Sequence, residues 1–144
     1  MKQYAQHGDV SVLEHCMRVA QTSLAFSDFL RRFNINANER ELVRGALLHD
    51  YFLYDWHIRD KDKNEKFFEK HGFTHAATAL RNASKDFDLT PKEKDIIAKH
   101  MFPLNVSKVP SCLESWIVTL SDKYCSLIET LAMRHRVQGQ VGKA

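Results

Sequence analysis

Val43-Arg44-Gly45-Ala46-Leu47-Leu48-His49-Asp50 is an apolar helical run that ends in a histidine and an aspartate side by side. Apolar helices commonly close on a glycine or another capping residue. This one closes on an imidazole and on a carboxylate able to bridge two ions, donor types that suit Fe, Mn, Zn or Ni. The pair is the natural centre of a helical, metal-dependent protein.

Working outward, His15, His75, His100 and Asp122 stand at intervals that complete such a centre. Along residues 15, 49, 50, 75, 100 and 122 the gaps are 34, 1, 25, 25 and 22 residues. Apart from the adjacent pair, each therefore falls on a different expected helix. A bundle brings such residues together when each helix contributes one inward polar side chain. Asp122 follows Val118 and Leu120, beside the core face of a long helix. A carboxylate there is costly unless paired or bound to metal.

The helices themselves are read from spacing and caps. Leu13, Met17, Ala20, Leu24 and Leu30 recur at helical intervals within Val10 to Phe33, with Asp9 or Ser11 as the cap and Ser11 with Glu14 as a capping box. Asn38 with Glu41 opens a second helix, about Glu39 to Phe52. Gly72 breaks the chain and Thr74 caps a third helix, to about Lys85, with His75 in its first turn. Thr90-Pro91-Lys92-Glu93 is a strong start for a fourth, which carries His100 in its last turn and stops before Pro103. Ser111 with Glu114 opens a final helix, about Cys112 to His135, whose Trp116, Leu120, Leu127, Ile128 and Leu131 form an apolar stripe. Residues 1–9 read as a polar lead-in, and no stretch reads as a strand. The block Tyr51 to Phe73 is aromatic, then charged, then aromatic, without clear period, and reads as a functional loop with room for a short helix around Asn64 to Lys70. The expectation is an all-α, single-domain bundle of about five main helices over residues 1–144, with its core at about 11–137.

Bulk properties narrow the function classes. At 144 residues, with 44% hydrophobic and 27% charged residues, the chain can bury a core without disulfides. A net charge of +3 gives no strong nucleic-acid signal and is compatible with an anionic substrate. Cys16, Cys112 and Cys125 show no CxxC spacing and read as reduced thiols of a cytoplasmic protein. Cys16 and Cys125 lie in apolar patterns and read as small core residues. No apolar run approaches the ~18 residues of a membrane span, and MKQYAQHGDV lacks the apolar core of a signal peptide.

His15 in Ser11-Val12-Leu13-Glu14-His15-Cys16-Met17-Arg18-Val19-Ala20, the Ala46-Leu47-Leu48-His49-Asp50 segment and Asp122 in a late helix resemble, in order and placement, the HD superfamily of metal-dependent phosphohydrolases. The resemblance covers roughly residues 11–130. It implies that His15, His49, Asp50 and Asp122 hold one divalent ion, and that Asp50, bridging, holds a second with His75 and His100. It implies hydrolysis of a small phosphate ester or nucleotide. The same ligand order is similar to the mixed-valence di-iron oxygenases of this superfamily, and a catalytically silent HD module is a further alternative. After the His-Asp pair this chain has Tyr51-Phe52-Leu53-Tyr54 instead of an Ile-Gly-Lys type turn, so the catalytic lysine of many relatives is missing there. Met101-Phe102-Pro103 stands after His100, and the Gly-Tyr-Pro signature of cyclic-dinucleotide phosphodiesterases is absent, which argues against cyclic di-GMP.

Catalytic assistance is expected from Asp50 and from two cations placed near ligands, Arg18 and Lys123. Lys99 and Arg81 are weaker candidates. Arg18 has a competing structural reading, an ion pair with Glu14 one turn earlier. Tyr51, Tyr54 and Trp56 read first as packing, Asp55 and His57 as loop residues, and His7, His71 and His135 as solvated. The run Arg59 to Lys66 reads as a solvated face.

Overall fold

In a computed structural model, the structure describes residues 5–7, 10–51 and 67–141, with side chains described for 11–51 and 74–136. The expectations for Tyr54, Asp55, Trp56, His57 and Arg59 to Lys66 lie outside these residues, as do the side chains of His7 and His71. The described elements are β1 (Ala5–His7), β2 (Val10–Ser11), α1 (Val12–Arg31), α2 (Glu39–Leu48), α3 (Phe67–Asp86), α4 (Pro91–Lys99) and α5 (Leu113–Val141). The fold is all-α apart from a small antiparallel ladder, Ala5 opposite Ser11 and His7 opposite Val10. So short a pairing leaves no readable alternation in the sequence.

Two capping boxes form as read. Ser11 Oγ accepts from Glu14 N at 3.2 Å while Ser11 N donates to the Glu14 carboxylate at 3.1 Å. Thr90 and Glu93 repeat the arrangement at the start of α4, with Pro91 at the first helical position. Helix α1 ends at a turn in which Asn34 takes a positive φ of 60°, a conformation that asparagine tolerates better than most residues. Asn38 caps α2 by accepting from Glu41 N.

Three boundaries and one cap differ from the sequence reading, one of the boundaries being the end of α5, which runs past about His135 to Val141. Helix α2 stops at Leu48, so His49 is its C-cap and Asp50 lies just beyond. Helix α3 begins at Phe67 and runs through Gly72 and Thr74. A glycine inside a helix costs only about 1 kcal/mol, which the other residues of a 20-residue helix absorb. Ser111 and Glu114 do not cap each other. The Ser111 amide and hydroxyl donate to Asp95 at 3.0 and 2.5 Å, and Glu114 accepts from Asn38 N at 2.7 Å and Lys92 Nζ at 2.9 Å. The start of α5 is thus tied to α4 and α2. Burial alone would push Asp95 up, but hydrogen bonds from Lys99 and Ser111 hold it down at about 2.

The main core gathers Val19 and Ala20 of α1, Leu42 and Ala46 of α2, Ile96 of α4, and Ile117, Val118 and Cys125 of α5. Ala79, Ala83, Leu89 and Ile97 form a second cluster that packs α3 onto α4. Cys16 and Cys125 are buried free thiols, as their apolar setting suggested. The apolar stripe of α5 faces outward instead: Trp116, Leu120, Leu127, Ile128 and Leu131 are all exposed. The inward face of α5 carries Ile117, Val118 and Cys125 together with Ser115, Thr119, Ser121, Asp122 and Glu129.

Candidate metal centre

Each of the six candidate ligands comes from a place where a helix points inward. His15 lies in the first turn of α1, His75 within α3 and Asp122 within α5. His49 and His100 are the C-caps of α2 and α4. Among the described residues these side chains form two neighbouring groups, His15 with His49 and Asp122, and Asp50 with His75 and His100. Within each group the ligand atoms lie within 4.8 Å of one another. Asp50 joins the groups, since its carboxylate is 3.6 Å from His49 Nε2, 3.5 Å from His100 Nε2 and 2.7 Å from His75 Nε2.

The two C-cap histidines use one device. His49 Nδ1 lies 2.6 Å from the Ala46 carbonyl and His100 Nδ1 lies 2.8 Å from the Ile97 carbonyl. A carbonyl only accepts, so each Nδ1 must donate, and the neutral ring keeps its lone pair on Nε2. Both Nε2 atoms are buried without a hydrogen-bond partner. His49 Nε2 stands 3.6 Å from oxygens of both Asp50 and Asp122. Lone pairs converging on buried carboxylates repel unless a cation lies among them. The donor set and its orphaned nitrogens therefore fit a divalent ion of the Fe, Mn, Zn or Ni class.

The electrostatics agree. Burial by itself would raise Asp50 and Asp122, yet the surrounding imidazoles hold both carboxyls well below the ordinary range. Burial would lower His15 and His49, but Asp122 lifts the first and Asp50 lifts the second well above the usual value. His100 is pushed down by burial. The carboxylates thus favour the charged form of His15 and His49, and the imidazoles favour the charged form of Asp50 and Asp122.

Sequence reasoning missed Glu129. It is buried, and its Oε2 lies 2.9 Å from His15 Nδ1, while His15 Nε2 faces Asp122 Oδ1 at 3.0 Å. Glu129 follows Asp122 by seven residues, two helical turns on one face, which is the signal that was available. Cys16 Sγ lies 4.0 Å from His49 Nδ1, the nitrogen already committed to Ala46. With His49 and Asp50, Cys16 forms a third group of potential ligands whose atoms lie within 4.8 Å of one another.

The expected cations are placed unequally. Lys123 Nζ contacts Asp122 Oδ2 at 2.7 Å and the His100 carbonyl at 2.8 Å. Arg18 is half exposed and reaches Glu129 at 3.4 Å. Its competing partner Glu14 is occupied in the α1 capping box. Lys99 is engaged with Asp95 and Ser111, and Arg81 is exposed. Tyr51 packs edge-on against Phe87 and donates to Asp86, a packing role as read. His135 is exposed.

Residues 12–127 match the family model of the HD domain. The chain belongs to the HD-domain family. Among curated proteins, this HD domain is 26% identical over 125 residues to the dihydroneopterin 2′,3′-cyclic phosphate phosphodiesterase of Methanocaldococcus jannaschii. The aligned region is 85% of this chain and 49% of the relative, so the chain spans about half the length of the curated relative it matches. No solved structure gives a significant match. Among the described residues, no helix is long and apolar enough to cross a membrane.

Proposed function

We propose that this HD domain is a metal-dependent phosphohydrolase that cleaves a small phosphate ester, a nucleotide or a related cyclic phosphodiester. The observation that carries the reading is the pair of buried, unpartnered Nε2 atoms of His49 and His100, aimed at Asp50 and Asp122. The relative, a phosphodiesterase acting on a 2′,3′-cyclic phosphate, supports the reaction class. In this proposal His15, His49, Asp50 and Asp122 hold one ion, and Asp50, His75 and His100 a second. When bound, such ions supply Lewis-acid chemistry that activates water and polarises a phosphoryl group.

The chain's own residues orient and compensate. The Ala46 and Ile97 carbonyls fix the ring orientation of His49 and His100. Lys123 neutralises Asp122 at the rim of the cluster. Arg18, with its guanidinium half in solvent, is the cation assigned to an incoming phosphate.

The test combines elemental analysis with turnover. We expect one or two divalent ions per chain and hydrolysis of bis-p-nitrophenyl phosphate and of 2′,3′-cyclic nucleotides, at the same rate under argon and in air. His49→Ala and Asp50→Ala should each lower the rate at least 100-fold, and lower bound metal, with helical circular dichroism retained. A dependence on O₂ would move the same ligands to oxygenase chemistry. Failure to bind Mn²⁺, Fe²⁺ or Zn²⁺ would leave a non-catalytic module.

A further inference from the structure

Helix α5 has a second face that the metal cluster does not use. From Trp116 to Ala132 its exposed residues are Trp116, Leu120, Tyr124, Leu127, Ile128, Thr130, Leu131 and Ala132, and none is charged. The six large apolar ones are each between 37% and 58% open. They recur every three or four residues and lie opposite Asp122, Cys125 and Glu129 on the helix. Lys123, within the same span, is turned onto Asp122 and the His100 carbonyl. A helix that is apolar on both faces requires cover on both.

We propose that a second copy of this chain covers the stripe, through antiparallel pairing of α5 with α5 about a two-fold axis at Tyr124. The spacing reads nearly the same in both directions. With Tyr124 on the axis, Leu120 faces Ile128 of the other copy, and Trp116 faces Ala132, with Leu131 beside it. A two-fold interface demands this kind of self-complementarity. Apolar residues at three- and four-residue intervals interdigitate in helix pairs that cross at a shallow angle.

The area is sufficient. Six such side chains at about half exposure leave on the order of 500–600 Å² of apolar surface per copy, the upper end of what a monomer leaves open. Doubled across the axis, that passes the ~1,000 Å² expected of a specific interface. Because the face has no exposed charge, no like-charge contact opposes pairing. The proposal is independent of the hydrolytic reading, since the stripe is on the far side of α5 from the ligands.

Sedimentation equilibrium of the full chain at micromolar concentration tests it. The expected mass is twice the chain mass of 16.7 kDa. Leu120→Glu combined with Leu127→Glu, which sets carboxylates against one another at the axis, should return the mass of one chain with unchanged helical circular dichroism. Tyr124→Cys gives a second readout. On mild oxidation it should form a disulfide-linked dimer that the parent chain, with its three native cysteines, does not form. A single-chain mass for the parent protein overturns the proposal and assigns the stripe to some other occupant. Persistence of the dimer in the double variant, or no cross-link through Cys at position 124, overturns the α5 pairing.

Discussion

At the scale of the residue, the site depends on which nitrogen of each ring is committed. His49 and His100 are fixed by carbonyls of their own helices, three residues back. His15 lies mid-turn, and its Nδ1 is held by the Glu129 carboxylate. A carboxylate behind a ligating imidazole orients the ring and raises its basicity, and losing it typically costs 10–100-fold in metal affinity. Glu129→Ala should therefore weaken metal binding by about 10-fold or more, and Glu129→Gln, whose amide oxygen still accepts from Nδ1–H, by less. Competition against a chromogenic chelator measures both, and equal affinity in all three proteins would remove Glu129 from this role. The six candidate ligands were legible because histidine and aspartate beside apolar runs are costly unless used. Glu129 was not, because a glutamate on a long helix ordinarily reads as solvated. Only its two-turn offset from Asp122 distinguished it.

At the scale of the element, α2 and α4 carry the two C-cap histidines and must approach closely, with the His49 and His100 ring centroids 4.9 Å apart. Gly45 permits the approach. A Cβ built there would stand 2.9 Å from Ile96 Cγ2 and 3.0 Å from Ile96 Cβ, tighter than real side chains allow. Gly45→Ala gains up to about 1 kcal/mol of helix propensity, but overpacking of a filled interior costs about 1–3 kcal/mol. The expected result is a lower melting temperature, read by thermal circular dichroism; a raised one would mean that Ile96 moves aside freely. Caps were legible where both partners lie within four residues, as for Ser11 with Glu14 and Thr90 with Glu93. The reading failed at Ser111 and Glu114, where partners on other helices, Asp95, Asn38 and Lys92, compete successfully. Local sequence contains no record of that competition.

At the scale of the whole molecule, the five described helices converge on one cluster, and each supplies one or two of its candidate ligands. The convergence of these candidate residues was legible for this reason: one polar residue per apolar helix is a pattern that survives uncertain boundaries. The outward stripe of α5 was not, because periodicity shows that a face is apolar and not which neighbour covers it. Exposure is also uneven across the cluster. His15, His49, Asp50 and His100 are closed off almost completely and Asp122 is 6% open, whereas the side chain of His75 is 20% open. Under the proposed two-ion occupancy this asymmetry sets a kinetic order. An ion held by Asp50, His75 and His100 would exchange through the more open His75, and one held by His15, His49 and Asp122 would exchange more slowly. A chelator should therefore strip the protein in two phases, the fast one lengthened or shortened by substitutions at His75 alone and the slow one tracking the opening of the bundle itself. The residence time of the inner ion would then be a clock for how often this fold breathes.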